Sequence, residues 1–249
     1  MKRKEIEIRE CKTPEDLSGC VRLQREVFNL PEIEISPVRH FIVTRHAGGF
    51  TLGAFFEGKL IGFVLSVLAY KGNDRMYYSH MTAVDKDFQN YGIGTKLKWT
   101  QREHALAKGV KFLKWTFQPV LARNAYFNLE KLGAIIKEYE PNFYGTDYAA
   151  SGEKDKSGVA SDRLFAEWEL ESEKVKRLAQ KESFDESEDF VKSIRTINDW
   201  QGFLKSDRKK AISEQMRIRE EFQEAFKDGL ICRSFRRDAL SPKFLLYRD

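Results

Sequence analysis

Apolar and polar residues alternate with period two over Glu5-Ile6-Glu7-Ile8-Arg9, which predicts a first strand. Thr13-Pro14-Glu15-Asp16 then reads as a helix start. Threonine can cap, proline suits the first helical position, and the acidic pair suits the positive end of the helix dipole. Leu17, Val21, Gln24 and Phe28 recur behind it at helical spacing. Pro31 and Pro37 break that pattern, so residues 29–49 are expected to form a loop with a short irregular helix. Thr51–Phe56 and Leu60–Tyr70, joined by Glu57-Gly58-Lys59, predict a β-hairpin. After the turn Lys71-Gly72-Asn73-Asp74, Met76–Val84 is a third strand in the run. From Gly92 the pattern turns helical as far as Gly109, with Ile93, Leu97, Thr100, His104 and Ala107 on one face, which makes His104 a packing residue.

The second half is read the same way. Phe112–Phe117 is a strand, Ala122–Leu132 a helix closed by Gly133, and Ile135–Tyr139 another strand. Residues 151–158, Ser-Gly-Glu-Lys-Asp-Lys-Ser-Gly, are a flexible loop by composition. Arg163–Leu170 alternates again, with Leu164, Ala166, Trp168 and Leu170 sharing a face. Residues 171–206 are highly charged and give no firm assignment. Ala211, Ile218, Phe222 and Ala225 line one side of a long charged helix that Gly229 ends, and strands Leu230–Arg236 and Lys243–Arg248 flank a turn containing Pro242. The fold class is mixed α/β, largely antiparallel in its first half, with helix-linked strands after it.

Composition narrows the classes. With 41% hydrophobic and 33% charged residues, the chain has a globular profile, and no apolar run approaches the roughly 20 residues that span a bilayer. Met1-Lys2-Arg3-Lys4 leads straight into the first strand with no apolar signal core, so a cytoplasmic location is expected. Cys11, Cys20 and Cys232 fit neither a disulfide framework nor a zinc pattern, and read as buried or half-buried thiols. A formal charge of +5 favours a polyanionic ligand, but the basic residues are interleaved with acidic ones, which argues against nucleic acid.

The chemistry concentrates in Gln89-Asn90-Tyr91-Gly92-Ile93-Gly94-Thr95, between a strand and a helix. Glycines there let a ligand approach the backbone, and unpaired amides at a helix start form an anion site suited to pyrophosphate. A tight turn whose glycines only permit packing is the competing reading. Leu97 stands where a dinucleotide fingerprint needs its third glycine, and no Gly-Lys-Ser/Thr ends the loop.

Gln89, Gly92 and Gly94 in that order resemble the Q/R-x-x-G-x-G/A signature of the GNAT acetyltransferases. Val84-Asp85 at the end of the preceding strand, and Arg123-Asn124-Ala125 leading to Glu130-Lys131-Leu132-Gly133-Ala134, extend the likeness. Leu23-Gln24-Arg25-Glu26-Val27, Ser79-His80-Met81 and Asp162-Arg163-Leu164…Trp168 resemble a poorly characterised subgroup of predicted acetyltransferases. The resemblance covers roughly residues 5–170 and implies a GNAT acyltransferase domain over 1–170. Residues 171–249 are then a helix plus β-hairpin extension, packed on or continuing that domain.

The resemblance also implies roles. Acetyl-CoA or another acyl-CoA is the co-substrate, with no metal. The backbone of Gln89, Asn90, Tyr91, Gly92, Ile93, Gly94 and Thr95 holds its pyrophosphate, and that of Met81, Thr82, Ala83 and Val84 pairs with pantetheine like an added strand. A primary amine, small molecule or peptide, attacks directly, with no membrane or nucleic-acid partner. His80 is the first choice as base, against a histidine hydrogen-bonded inside the sheet. Many relatives protonate the leaving thiolate with a tyrosine, where this chain has Leu129. Tyr126 or Tyr144 is the substitute, each against a packed aromatic, and departure of the thiolate without an acid is the third alternative. Asn124 bonds pantetheine or caps its helix, Lys96, Arg123 and Lys131 are candidates for the nucleotide phosphates, and Gln118 and Arg163 for the acceptor side. A CoA-binding sensor or interaction module without turnover is the alternative reading. Trp99 on the far helix face hints at a covered surface, and the charged extension leaves room for a second protomer in a homodimer.

Overall fold

The computed structural model describes residues 6–28, 30–147 and 159–248. Met1–Glu5 and the loop expected at 151–158 lie outside the described residues. The chain divides into two compact units, residues 1–114 and 115–249.

In the first unit, β1 (Glu7–Glu10) is followed by α1 (Pro14–Phe28), α2 (Val38–His46), β2 (Phe50–Phe56), β3 (Lys59–Lys71), β4 (Asp74–Val84) and α3 (Ile93–Ala107). β5 (Phe112–Phe117) begins in this unit. β1, β2, β3 and β4 are neighbours in that order, all antiparallel, and β5 joins β4 in parallel through Tyr77↔Leu113 and Tyr78↔Lys114. The β2–β3 hairpin turns on Glu57 (φ 51°) and Gly58 (φ 78°), the left-handed pair that a two-residue turn matching strand twist requires. At the start of α1, Thr13 Oγ1 accepts the Asp16 amide at 3.2 Å, and Arg9 grips the Asp16 carboxylate at 2.7 and 2.9 Å.

One face of this sheet buries Leu17, Cys20, Leu23, Phe41, Phe63, Leu65 and Ala83 against α1 and α2. Residues 38–46 form a regular nine-residue helix where a short irregular one was expected. Pro37 stands at its N-cap, the end where a missing N–H is harmless, so proline here starts a helix rather than breaking one.

The other face carries α3, and its buried side differs from the one the pattern predicted. Ile93, Leu97, Lys98, Gln101 and Ala105 are buried, whereas Ala107 is exposed and Thr100 half-buried. Two polar side chains therefore belong to the core. Gln101 Nε2 donates to Ser66 Oγ at 2.8 Å and Ser79 Oγ at 3.0 Å, and Lys98 Nζ donates to Ser79 Oγ at 3.0 Å. Hydrogen bonds make such burial tolerable. Burial also pushes the Lys98 ammonium well below the usual lysine range. Trp99, expected on an open face, is half-buried, with the Arg102 guanidinium 5.9 Å from its ring.

In the second unit come α4 (Ala122–Tyr126), β6 (Ile135–Glu140), β7 (Thr146–Asp147), β8 (Val159–Ala160), β9 (Arg163–Glu169) and α5 (Glu173–Ala179). β10 (Lys192–Arg195), α6 (Trp200–Ser206), α7 (Arg208–Lys227), β11 (Leu230–Arg236) and β12 (Lys243–Arg248) complete it. The strand order β9-β6-β11-β12-β10 is antiparallel throughout. Residues 171–206, unassigned from sequence, supply α5, β10 and α6. The expected helix over 122–132 changes pitch: Phe127–Lys131 is a π-turn, with the Leu132 amide bonded to the Phe127 carbonyl at 3.1 Å. Leu164, Ala166, Trp168 and Leu170 are fully buried, as are Ala211, Ile218, Phe222 and Ala225 of α7. Asp162, also buried, ties α7 to the strands: it accepts Tyr139 Oη at 2.6 Å and the Arg219 guanidinium at 2.7 and 3.0 Å. That pairing raises the Arg219 pKa, while burial raises the phenol of Tyr139. The mixed α/β, mostly antiparallel class agrees with the sequence reading. Among the described residues no helix is long and apolar enough to cross a membrane.

Candidate functional site

β4 positions most of the candidate residues. Against β3 its register runs Leu65↔Met81 and then Ser66↔Ser79, so His80 is the extra residue of a β-bulge. Beyond Tyr78 its ladder runs only to β3 among the described residues, which leaves the backbone of Met81–Val84 with an open edge. Met81, Thr82 and Val84 are half-buried and Ala83 is buried.

The chain leaves β4 through a turn pinned at its base. The Asp85 amide donates to the Ile61 carbonyl at 2.8 Å, Asp85 Oδ1 accepts the Asp87 amide at 3.2 Å, and Gln89 Nε2 donates to the Val84 carbonyl at 3.1 Å. Gln89 thus fastens the loop with its side chain. Asn90 (φ 69°) and Gly92 (φ 77°) take left-handed conformations, and α3 begins at Ile93, its first loop-to-helix bond running from the Lys96 amide to the Gly92 carbonyl at 3.0 Å. Among the described residues the amides of Tyr91 to Thr95 have no backbone acceptor. Amides left over at a helix start point outward beside the positive dipole end.

Space separates the two readings of the glycines. A Cβ built on Gly92 meets nothing within 4 Å, and one on Gly94 meets only Val84 Cγ2 at 3.9 Å. Gly92 is still required by its backbone angle. Gly94 has no such need and no crowding, so packing within the protein does not account for it. Gly62 of β3 is the packing glycine here: its Cβ would lie 3.1 Å from the Ala83 carbonyl and 3.3 Å from Leu97 Cδ1, and its absence lets α3 lie close on the sheet.

His80 is exposed, its ring 6.3 Å from that of His40 on α2 and 6.5 Å from that of Tyr78. Desolvation by these neighbours, and then the proximity of His40, lower its pKa. His104 packs its ring 4.2 Å from that of Phe50 and keeps a buried Nε2 with no hydrogen-bond partner.

The remaining candidates lie in the second unit. Asn124 is not a cap: α4 starts at Ala122 with Leu121 at the N-cap position, and no side chain caps it. Tyr126 is half-buried, with the Arg237 guanidinium 3.7 Å from its ring centroid and Lys131 Nζ at 5.4 Å. Leu129 is fully buried. Tyr144 is exposed, its hydroxyl 3.4 Å from Thr116 Oγ1 and its ring 5.1 Å from the Arg163 guanidinium. The Gln118 carbonyl accepts the Leu121 amide in the turn before α4. Arg123 and Lys131 are exposed, as is Lys96 of the first unit.

Residues 16–133 match the family model described as acetyltransferase (GNAT) family. Over that stretch, just under half of its length, the chain is similar to the GNAT acetyltransferases. A serotonin N-acetyltransferase from Mesocricetus auratus is 26% identical over 110 residues, 38% of this chain and 52% of that protein, so the chain spans about half the length of that relative. Among solved structures, a GNAT-family protein from Desulfovibrio desulfuricans superposes with TM-score 0.55 at 15% identity, covering 67% of this chain and 99% of that one. A chain of the NatC complex bound to Gag peptide and CoA superposes with TM-score 0.53 at 15% identity, with the same coverage. At these identities the superpositions bear on the fold. They agree with the GNAT architecture read from the sequence.

In the sequence, the GNAT-like signature singled out Gln89, Gly92 and Gly94 as candidates. It did not predict His40 or the Ser66–Ser79–Lys98–Gln101 network beneath the bulge. Serines facing each other on paired strands, with Lys98 and Gln101 three apart on the next helix, were the available signal.

Proposed function

We propose that this chain is an acyl-CoA-dependent N-acyltransferase, moving an acyl group, acetyl in the first instance, to a primary amine by direct attack. The observation that carries the reading is Gly94, a glycine with ordinary backbone and open space beside a row of unpartnered amides. A bound pyrophosphate accounts for both, since it needs close approach to the backbone and accepts from amides.

When bound, acyl-CoA supplies an acyl carbon activated as a thioester. The chain's own residues do the rest. The amides from Tyr91 to Thr95 hold the pyrophosphate, whereas the Gln89 amide, expected to join them, donates instead to the Lys86 carbonyl at 3.4 Å. The open β4 edge at Met81–Val84 holds the pantetheine arm as a strand would be held, and an amide beside the bulge polarises the acyl carbonyl. His80 accepts the ammonium proton of the acceptor, and its lowered pKa keeps it neutral, hence basic, at pH 7. Asn124 bonds the pantetheine arm and Tyr126 donates its phenolic proton to the departing thiolate. The acceptor is a small-molecule or peptide amine. The named relatives include a serotonin acetyltransferase and a peptide-bound complex. A cytoplasmic location goes with this donor.

Thermal unfolding with acetyl-CoA, succinyl-CoA and free CoA tests the site first. A ligand at about a hundred times its Kd adds roughly 2.7 kcal/mol, a rise of about 5–10 °C for a chain of this size. The best-ranked thioester then enters a thiol-release assay against an amine panel. No rise with any of the three would remove the reading.

A further inference from the structure

Four polar side chains meet in the core of the first unit, between the sheet and α3: Ser66 and Gln101 are 0% exposed, Lys98 2% and Ser79 5%. Ser79 Oγ is their hub. It accepts Lys98 Nζ and Gln101 Nε2 at 3.0 Å each and donates to Gln101 Oε1 at 3.3 Å. Gln101 Nε2 also donates to Ser66 Oγ at 2.8 Å, so one carboxamide bonds both members of the pair Ser66↔Ser79. That pair borders the bulge, with Leu65↔Met81 on the far side of His80.

Stability does not require these groups. Exchanging every member of a buried polar cluster for apolar side chains of similar volume is often neutral or stabilising. What an apolar filling lacks is direction, and fixing a register is the best-attested use of a buried polar group. The ladder between β3 and β4 has a neighbouring arrangement, Ser66↔His80, with Ser79 as the extra residue. Residues directly opposite share a face, so that register would turn the imidazole towards α3, where Ser66 points. It would also take the Ser79 hydroxyl away from Lys98 and Gln101. The network therefore penalises the shifted register and not the observed one, in which His80 is exposed with its ring 6.3 Å from that of His40.

We infer that Gln101, with Lys98 and the two serines, is a positioning residue: the network selects the bulge register that presents His80 to the acceptor. The link to turnover rests on the reading of His80 as the base, whereas the choice of register does not. On that reading α3 serves both substrates, holding the cofactor at its start and setting the base from its buried side.

The variant Ser66→Ala/Ser79→Ala/Lys98→Met/Gln101→Leu replaces the whole network with apolar side chains. In the full chain carrying ¹³C-labelled histidine, the His80 ring signal is assigned by its loss in His80→Ala. The wild type should show one His80 signal with a nuclear Overhauser contact to His40. The fourfold variant should unfold within about 5 °C of the wild type, yet split or broaden that signal and lose the contact. Its kcat should fall about tenfold or more at an unchanged acetyl-CoA Kd, since a misplaced base costs turnover and not cofactor binding. Ser79→Ala alone should show the same change in smaller measure, and Ser79→Thr, which keeps the hydroxyl, should show none. A fourfold variant that does not fold would overturn the inference, because stability would then require the network. So would a folded, active variant whose His80 contact or kcat equals that of the wild type. The expected loss of contact in a chain that transfers no acyl group would instead remove the acyl-transfer reading and leave the register device standing.

Discussion

Two glycine-bearing turns lie in the stretch that resembles one family, and they use glycine for opposite reasons. At Gly133, after the π-turn, φ is +75° and a Cβ would come within 3.0 Å of Leu178 Cδ1 and 3.2 Å of Lys174 Cγ and Val175 Cγ2. At Gly94 a Cβ would meet one methyl group at an ordinary 3.9 Å. The first glycine is demanded by the protein's own packing. The second is free of that demand, so its space is available to a ligand. Residue identity alone cannot separate the cases, because both positions read as glycine.

The comparison can be broken by substitution. Gly94→Glu should weaken acetyl-CoA binding by at least about a hundredfold, since a buried like charge costs several kcal/mol at a phosphate site. Its unfolding midpoint should stay near wild type. Titration calorimetry beside a melting curve reads both, and normal affinity in the folded variant would end the pyrophosphate assignment. His80→Ala should lower kcat by roughly a hundredfold and leave the CoA Kd unchanged, the behaviour of a lost base rather than a lost contact. A parallel fall in affinity would mean that the bulge itself had been disturbed.

Gly133→Ala should do the reverse of Gly94→Glu. Strain and crowding together cost about 1–3 kcal/mol, visible as a lower denaturant midpoint, with CoA affinity unchanged in the folded fraction. An unaltered midpoint would show that α5 yields easily. The smallest effect concerns His40. His80 must be neutral to act, so activity falls as pH drops through its lowered pKa. Removing the neighbouring ring in His40→Ala should move that acidic limb upward. A limb that stays in place, measured as kcat/KM against pH, would take His40 out of the site.

The strands and the glycine loop were legible because their signals are local. The β2–β3 hairpin has apolar runs around Glu57-Gly58, and α3 starts where Gly92 and Gly94 say it should. The side of α3 that faces the sheet was not legible. Lys98 and Gln101 count as polar in any periodicity, and only the serines of β3 and β4 make their burial tolerable. The π-turn at 127–131 was also hidden, since hydrophobic spacing does not distinguish an i−5 bond from an i−4 bond over five residues. α2 was read only as a short irregular helix without bounds, because Pro37 looks the same in sequence whether it begins a helix or ends one. Asn198 and the Arg237–Ala239 loop, forty residues apart, meet only through the tertiary fold.

The bulge at His80 sets the parity of everything after it. Ser79 points to the α3 side, where it meets Lys98 and Gln101, whereas the next odd-numbered residues, Met81 and Ala83, point into the core under α1 and α2. Val84, an even position, comes back to the α3 side beside Gly94. Regular alternation through residue 80, with no bulge, would keep 79, 81 and 83 on one face. Deleting His80 would make Ser66↔Ser79 and Leu65↔Met81 consecutive pairs of an unbroken ladder, so the flanking side chains would keep their faces and only the bulge and its imidazole would be lost.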